Sequence, residues 1–373
     1  MVNYLYIHIP FCIKKCIYCD FYSIPFKSQV AEDYVNALCK EIELRKHAAR
    51  DIGTVFIGGG TPTVISGNEI SKILNKVKET FSVRHDAEVT IEANPGTITE
   101  GKLAGLREAG VNRISIGIQS LDDHELTVLG RSHTSDDVLY AVTAARKAGF
   151  NNISVDLIYG IPGQNMETWV NTLLKAIELL PEHVSTYELT PEKNTPLSDD
   201  IKKGRLALPD EEIITEMYYK GIDILQAHGY AHYEISNFAR PGYQCIHNLN
   251  YWNRGEYLGI GAGAHSFLNG RRTANVRDVF RYVESVNSGM IAVAEDIEIT
   301  AKEALKELIF LGLRKTEGID MSRMPDIAKM LKSKAVDELI RHGLLETRDN
   351  CLCLTRKGLV LSNEIILRIF EEL

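Results

Sequence analysis

From residue 4 to residue 226 the chain alternates between two apolar periods. Short runs rich in Ile, Val and Tyr recur at Tyr4–Ile9, Thr54–Ile57, Ala87–Glu92, Asn112–Gly117, Asn152–Leu157 and His183–Leu189. In the gaps, apolar residues return every three or four positions over Ala31–Arg45, Glu69–Thr80, Thr99–Ala109, Ser135–Ala148, Asn165–Leu179 and Asp210–Gln226. The first pattern predicts strands and the second predicts helices. Two helices run into glycine, at Ala109-Gly110 and Ala148-Gly149, where a backbone leaving a helix often takes positive φ. Asp136 and Asp210 stand near helix starts, where a carboxylate is favourable.

Six strand–helix units in series predict an α/β fold with a parallel sheet and right-handed crossovers. A closed TIM barrel needs eight strands, so six leave either a partial (β/α)6 TIM-like barrel or a doubly wound sheet. The partial barrel is the better expectation. Chemistry-bearing residues follow nearly every strand and must meet on one rim, whereas a switch-point crevice draws on few strands. The pattern changes near Ile291. Helical stretches at Thr300–Gly312, Met321–Leu331 and Ala335–His342 lead to alternating Cys351-Leu352-Cys353-Leu354, then Thr355–Gly358 and a last helix. This predicts a small C-terminal winged-helix-like domain. The expected division is a barrel over residues 1–235, a connecting segment over 236–290 and the C-terminal domain over 291–373.

Composition agrees with a packed chain. Of 373 residues, 45% are hydrophobic and 25% charged, enough for one large domain and a smaller one. Lys and Arg number 42 against 50 Asp and Glu, a formal charge of −8. Acidic chains are poor general binders of nucleic acid, and no strongly basic helix marks the C-terminal domain. No nucleic-acid partner is therefore expected. The N-terminus lacks a basic region and a cleavage site, and no apolar run approaches spanning length. The expectation is a cytoplasmic protein that meets membranes only through a partner.

The cysteines change the picture most. There are seven, an odd number that speaks against a disulfide framework. Cys39 falls in a helical pattern and reads as core. Cys351 and Cys353 read as strand residues, since Cys-x-Cys alone completes no metal shell. Cys12, Cys16 and Cys19 cluster directly after the first strand. A [4Fe–4S] cube usually takes four thiolates; three leave one iron open to a bidentate small molecule. A structural zinc site is the rival, but it needs four ligands, and His8 on the preceding strand is an awkward fourth. Gly58-Gly59-Gly60-Thr61-Pro62-Thr63 follows the second strand, and its glycines allow a ligand close to the backbone.

Cys12-Ile-Lys-Lys-Cys16-Ile-Tyr-Cys19 resembles the signature of radical S-adenosylmethionine (SAM) proteins. The glycine turn is similar to the segment that contacts the methionine part of SAM. Five stretches, Tyr4–Cys12, Gly58–Thr63, Ile91–Pro95, Ile116–Ser120 and Asp156–Gly160, together resemble the oxygen-independent coproporphyrinogen III oxidase superfamily. Within it the chain is similar to a heme-chaperone branch. Phe21 stands where the true oxidase has a further cysteine, and only three residues precede the first strand. Cys245-Ile-His247-Asn248-Leu-Asn-Tyr251-Trp252 carries that branch's H-N-x-x-Y-W pattern.

The resemblance implies a [4Fe–4S] cluster on Cys12, Cys16 and Cys19. It implies a SAM site lined by Tyr6, Gly59, Gly60, Thr61 and Glu92, with Tyr18 beside the cluster. Gln119, Arg131 and Asp156 match oxidase positions that contact a second SAM. His247 becomes the candidate heme ligand, with Tyr251 and Trp252 able to stack on a porphyrin. His265, in the loop Gly259–Ser266, is a second candidate ligand. Implied partners are heme or another porphyrin, a heme-acceptor protein and an electron donor. Two functions remain open: heme trafficking, or anaerobic oxidation of coproporphyrinogen III with decarboxylation of two propionates.

Overall fold

The computed structural model describes residues 2–323 and 333–372. All six expected strands form, with ends that differ by a few residues: β1 Val2–Ile9, β2 Ala49–Gly59, β3 Val83–Ala93, β4 Arg113–Gln119, β5 Ile153–Tyr159 and β6 His183–Glu188. Three more join the same sheet, namely β7 Ala231–Glu234, β8 Asn237–Ala239 and β9 Leu258–Ile260. The order is β9-β1-β2-β3-β4-β5-β6-β8-β7. Neighbours from β1 to β6 are parallel and sequential. A doubly wound sheet reverses its order at a switch point, and no reversal occurs here, so the sheet is a partial barrel. Strand β9 returns parallel to β1, whereas β8 and β7 turn antiparallel at the far edge.

The crossovers are α1 Ser28–Leu44, α2 Gly67–Thr80, α3 Glu100–Ala109, α4 Ser135–Lys147, α5 Met166–Glu178 and α6 Glu211–Ala227. Their ends are chemically specified. Ser66 and Glu69 form a reciprocal capping box at the start of α2. Gly110, at φ 102°, ends α3. The outward strand positions, among them Leu5, Ile7, Val55, Ile57, Ile91, Ile114, Val155 and Val184, are buried with Leu38, Ile73, Leu106, Leu173 and Ile222 of the helices. Each such side chain contributes about 1.5–3 kcal/mol on burial.

The inward positions are different. Tyr6, Thr54, Glu88, Thr90, Glu92, Arg113, Ser115, Asp156 and Ser185 alternate with that core along their strands. TIM-type interiors are normally filled by branched aliphatic residues. A polar inner face gives up that packing and supplies hydrogen-bonding groups instead.

After β9, a three-stranded sheet is built from His265–Leu268, Arg271–Asn275 and Val293–Glu298. The C-terminal part carries a second one, from Ile319–Asp320, Leu345–Arg348 and Cys351–Leu354, with helices at Ala301–Gly312, Lys334–Arg341 and Ser362–Phe370. Its hairpin turns on Asp349 and Asn350, both at positive φ, as a tight two-residue turn requires. Of the helix expected over Met321–Leu331, Met321–Arg323 forms a short 3-10 turn; the rest lies outside the described residues. Cys39 is half-buried and not in the core, because it lies on α1 beside Lys72 and Lys76 of α2. Among the described residues, no helix is long and apolar enough to cross a membrane.

Candidate functional site

The loop after β1 leaves the rim and returns to it. Phe11–Cys12 pairs in parallel with Ile24–Pro25, and buried Phe11 packs edge-on against Tyr34. The loop between holds Cys12, Cys16 and Cys19, all half-buried. The glycine turn after β2 lies directly against it. Gly60 N–H donates to Ile9 O at 2.9 Å, and Thr61 N–H donates to Phe11 O at 2.8 Å. Thr61 Oγ1 lies 3.7 Å from Cys12 Sγ. A Cβ on Gly60 would sit 2.6 Å from Phe11 O and 3.0 Å from Cys12 Sγ, so only glycine lets the two segments meet.

Arg131 reaches the loop from the other side. Its Nη1 donates to Cys16 Sγ at 3.3 Å and to Tyr18 OH at 3.5 Å, while Nη2 donates to Gly117 O at 2.6 Å. The guanidinium thus stands beside one of the three sulfurs and braces the loop against β4. Burial pushes the Cys19 thiol up, so iron must displace that proton. Among the described residues, no three His, Cys, Asp or Glu side chains converge as they would around a single metal ion. His8 is occupied elsewhere, with Nδ1 2.9 Å from Tyr6 OH and Nε2 3.3 Å from Tyr22 O.

Behind the rim, Glu92 faces the glycine turn and accepts Gly59 N–H at 3.1 Å. Burial, then the nearby Asp156 carboxylate, push Glu92 up to about 7. Burial raises Asp156 too, against hydrogen bonds from Ser185 and Ser115. Gln119 ends β4 at φ 64°, a left-handed conformation rare outside glycine and often found at functional sites. Tyr6, Gly59, Gly60, Thr61, Glu92, Gln119, Arg131 and Asp156 thus all lie at or behind one rim.

His247 lies deeper. The helix α7, Ile246–Trp252, packs against the inner face. Glu88 accepts from Ile246 N–H at 3.0 Å, His247 N–H at 3.2 Å and Cys245 Sγ at 3.6 Å. It does the capping work for which Cys245, at the N-cap, has no side-chain bond. His247 Nδ1 is 2.7 Å from Thr54 Oγ1 and Nε2 is 2.8 Å from Tyr251 OH. Its ring stacks on Phe56 at 5.2 Å. The residue is 1% exposed, so both nitrogens are engaged and none faces solvent. Burial and then Arg113 push it down to about 3, which keeps the imidazole neutral. Cys245 is pushed up to about 12 by burial, so it is not a reactive thiolate. His265 is exposed at the start of its strand.

Sequence reading passed over Glu88 and Arg113. Arg113 is 2% exposed, and its Nε, like Thr90 Oγ1 on the adjoining strand, has no partner among the described residues. Buried orphans of this kind point to water or ligand in the barrel. The available signal was the alternation of Glu88, Thr90 and Glu92 within a strand flanked by parallel neighbours.

A partial parallel barrel with three cysteines and a glycine turn on its rim defines a radical SAM protein. Residues 6–176 match the Radical SAM superfamily, and residues 299–361 match the HemN C-terminal domain. Proteins of that superfamily work with a [4Fe–4S] cluster and SAM. The relatives are more specific. The chain is 38% identical to the heme chaperone HemW of Bacillus subtilis, over 99% of both chains. It is 41% identical to heme chaperone HemW of Escherichia coli, over 80% of this chain and 79% of that one. The mouse mitochondrial radical S-adenosyl methionine domain-containing protein 1 is 34% identical, over 99% and 87%. Escherichia coli coproporphyrinogen III oxidase (HemN) shares the fold, at TM-score 0.82 and 24% identity over 99% of this chain and 90% of that one. The chain belongs to the HemW family of radical SAM proteins.

Proposed function

We propose that the chain is a heme chaperone that carries a [4Fe–4S] cluster on Cys12, Cys16 and Cys19, binds SAM behind the rim, and holds heme for transfer to an acceptor protein. The observation that carries this reading is the joining of two features in one barrel: the half-buried cysteine loop against the glycine turn, and the His247–Tyr251 helix inside the inner face. The donor set fits the cube, because one loop carries three thiols, with the Arg131 guanidinium beside Cys16, and leaves a corner open. The glycine turn fits SAM, because it offers backbone groups without side chains opposite a carboxylate. When bound, the cluster supplies an electron to SAM. The chain's own residues bind and orient: Glu92 meets the amino-acid or ribose donors of SAM, Tyr18 and Arg131 flank the cysteine loop, and Tyr6 lines the floor. Gln119 and Asp156 present polar groups to whatever lies deeper. An external electron donor completes the set, and the protein works in the cytoplasm, reaching membranes only through its acceptor.

The test is anaerobic. Reconstituted protein should bind heme at one per chain and form no vinyl product from coproporphyrinogen III with SAM and reductant. Vinyl product would replace this reading with the oxidase.

Two further outcomes follow from the geometry. SAM affinity should rise as pH increases through about 7, because Glu92 is protonated below that value and a carboxylate above it. Glu92→Gln should flatten the profile. The same raised pKa means that ionising Glu92 costs the ligand-free protein stability as pH rises from the ordinary carboxylate range to about 7. Equilibrium dialysis with SAM from pH 6 to 8 reads the first effect, and a pH-independent wild type counts against it. His247 can reach iron only when Tyr251 releases its Nε2; on that reading His247→Ala should weaken heme binding about tenfold or more. It should also cost about 2–4 kcal/mol of stability, since Thr54 and Tyr251 lose their partner. Unchanged heme affinity removes His247 as a ligand.

A further inference from the structure

Past α7 the chain turns sharply. Arg254 adopts φ 53°, and Gly255 backs onto Asn250 so closely that a Cβ would overlap its carboxamide. This turn lays the Arg254 guanidinium over the Phe267 ring at 4.6 Å; Arg272 approaches the same ring at 5.4 Å. Both arginines hold one carboxylate. Arg254 Nε donates to Glu307 Oε2 at 2.7 Å, and Arg272 Nη1 donates to Glu307 Oε1 at 2.6 Å. Glu307 belongs to the helix α8, Ala301–Gly312. Burial alone would raise its pKa, but the hydrogen bonds from Arg272 and Arg254 hold it below the ordinary carboxylate range.

Beside these charges is a cleft of about 290 Å³, walled by Tyr251, Tyr257, Phe267 and Leu311. Tyr251 and Tyr257 meet edge to face at 4.7 Å. Two larger clefts, of about 390 and 500 Å³, lie on the outer helices and are lined by Ser, Asn, Lys and Glu with no aromatic wall. The chemistry of the smaller one is specific. Flat aromatic walls suit a planar ring. Guanidiniums are the preferred partners of carboxylates, which they grip best with two donors at once. Here each arginine gives Glu307 one donor. With 36% of its side chain exposed, Arg272 can be reached from solvent. Tyr251 is also bonded to His247, so the cleft adjoins the candidate heme ligand.

We propose that this cleft takes the carboxylate-bearing edge of a porphyrin, with Arg254 and Arg272 as its anion partners and Glu307 as the resident carboxylate that a propionate displaces. The cleft is smaller than a whole macrocycle, so it grips an edge. The proposal rests on the heme-binding reading and adds to it a requirement for free propionates. Because Glu307 lies on α8, displacing it loosens that helix from the turn of Arg254 and the strand of Arg272.

The full-length chain is titrated with heme and with heme dimethyl ester in the same detergent buffer. Wild type should bind the ester about tenfold or more weakly than heme. Arg254→Gln and Arg272→Gln should each weaken heme several-fold and leave the ester within about twofold, because the ester has no carboxylate to lose. Glu307→Gln should tighten heme. Equal affinity of wild type for heme and ester overturns the cleft while leaving heme binding intact. Binding of neither porphyrin overturns the chaperone reading and the cleft with it. The ester comparison needs no variant, so a misfolded mutant does not decide the matter.

Discussion

A Cys16→Ser chain purified without oxygen is expected to carry no cluster, whereas wild type reconstitutes to about four irons per chain. The serine oxygen is a far poorer iron ligand than a thiolate, and only three thiols stand on this loop. Losing one leaves two, too few to hold the cube. Arg131 sharpens the expectation. Its Nη1 lies 3.3 Å from Cys16 Sγ, and the shorter serine side chain does not reproduce that contact. Overall folding should persist, since Cys16 is half-buried and outside the aliphatic core. Iron counting, the visible absorbance of the cluster and a melting curve separate the two effects. A full cluster in the variant would show that the ligand assignment is wrong.

Gly60→Ala should be nearly as damaging, for a steric reason. The new methyl would stand 2.6 Å from a backbone oxygen, Phe11 O, and 3.0 Å from Cys12 Sγ. Phe11 is buried and paired with Ile24, so its backbone cannot yield cheaply. Relief requires the glycine turn to part from the cysteine loop, which breaks the Gly60–Ile9 and Thr61–Phe11 hydrogen bonds. The expected result is a loss of about 2–4 kcal/mol in stability, reduced iron content, and SAM affinity lower by more than about tenfold. Gly105→Ala is the control. A Cβ there meets nothing within 4 Å, and in the middle of α3 it should stabilise by about 0.5–1 kcal/mol. If Gly60→Ala behaves like the control in SAM binding and iron content, the turn does not form the SAM site.

The barrel was readable because β1 to β6 each show a clean apolar pattern between amphipathic helices. β7, β8 and β9 were not, since runs of three or four residues are too short to show a period. Their places depend on edges that exist only after the barrel forms. The cysteine loop and glycine turn were legible because their chemistry is local: spacing alone puts the three thiols on one loop. His247 was singled out by its neighbours along the chain, but its burial was not visible there. Thr54, Phe56 and Glu88 come from other strands, and only folding brings them to α7. Arg254, Arg272 and Glu307 were missed for the same reason. They lie on three separate elements and look like ordinary surface charges. Phe21, noted as a departure from the oxidase, is 68% exposed, so packing does not explain its apolar side chain.

The cysteine loop is on the outer lip of the barrel, with Ile13 and Phe21 open to solvent beside it. Electron tunnelling weakens steeply with distance, so under the proposed assignment a reductant docked on that lip would charge the cluster without relay groups inside the protein. The same closeness would admit dioxygen, so a cluster held there would depend on surroundings that keep it reduced.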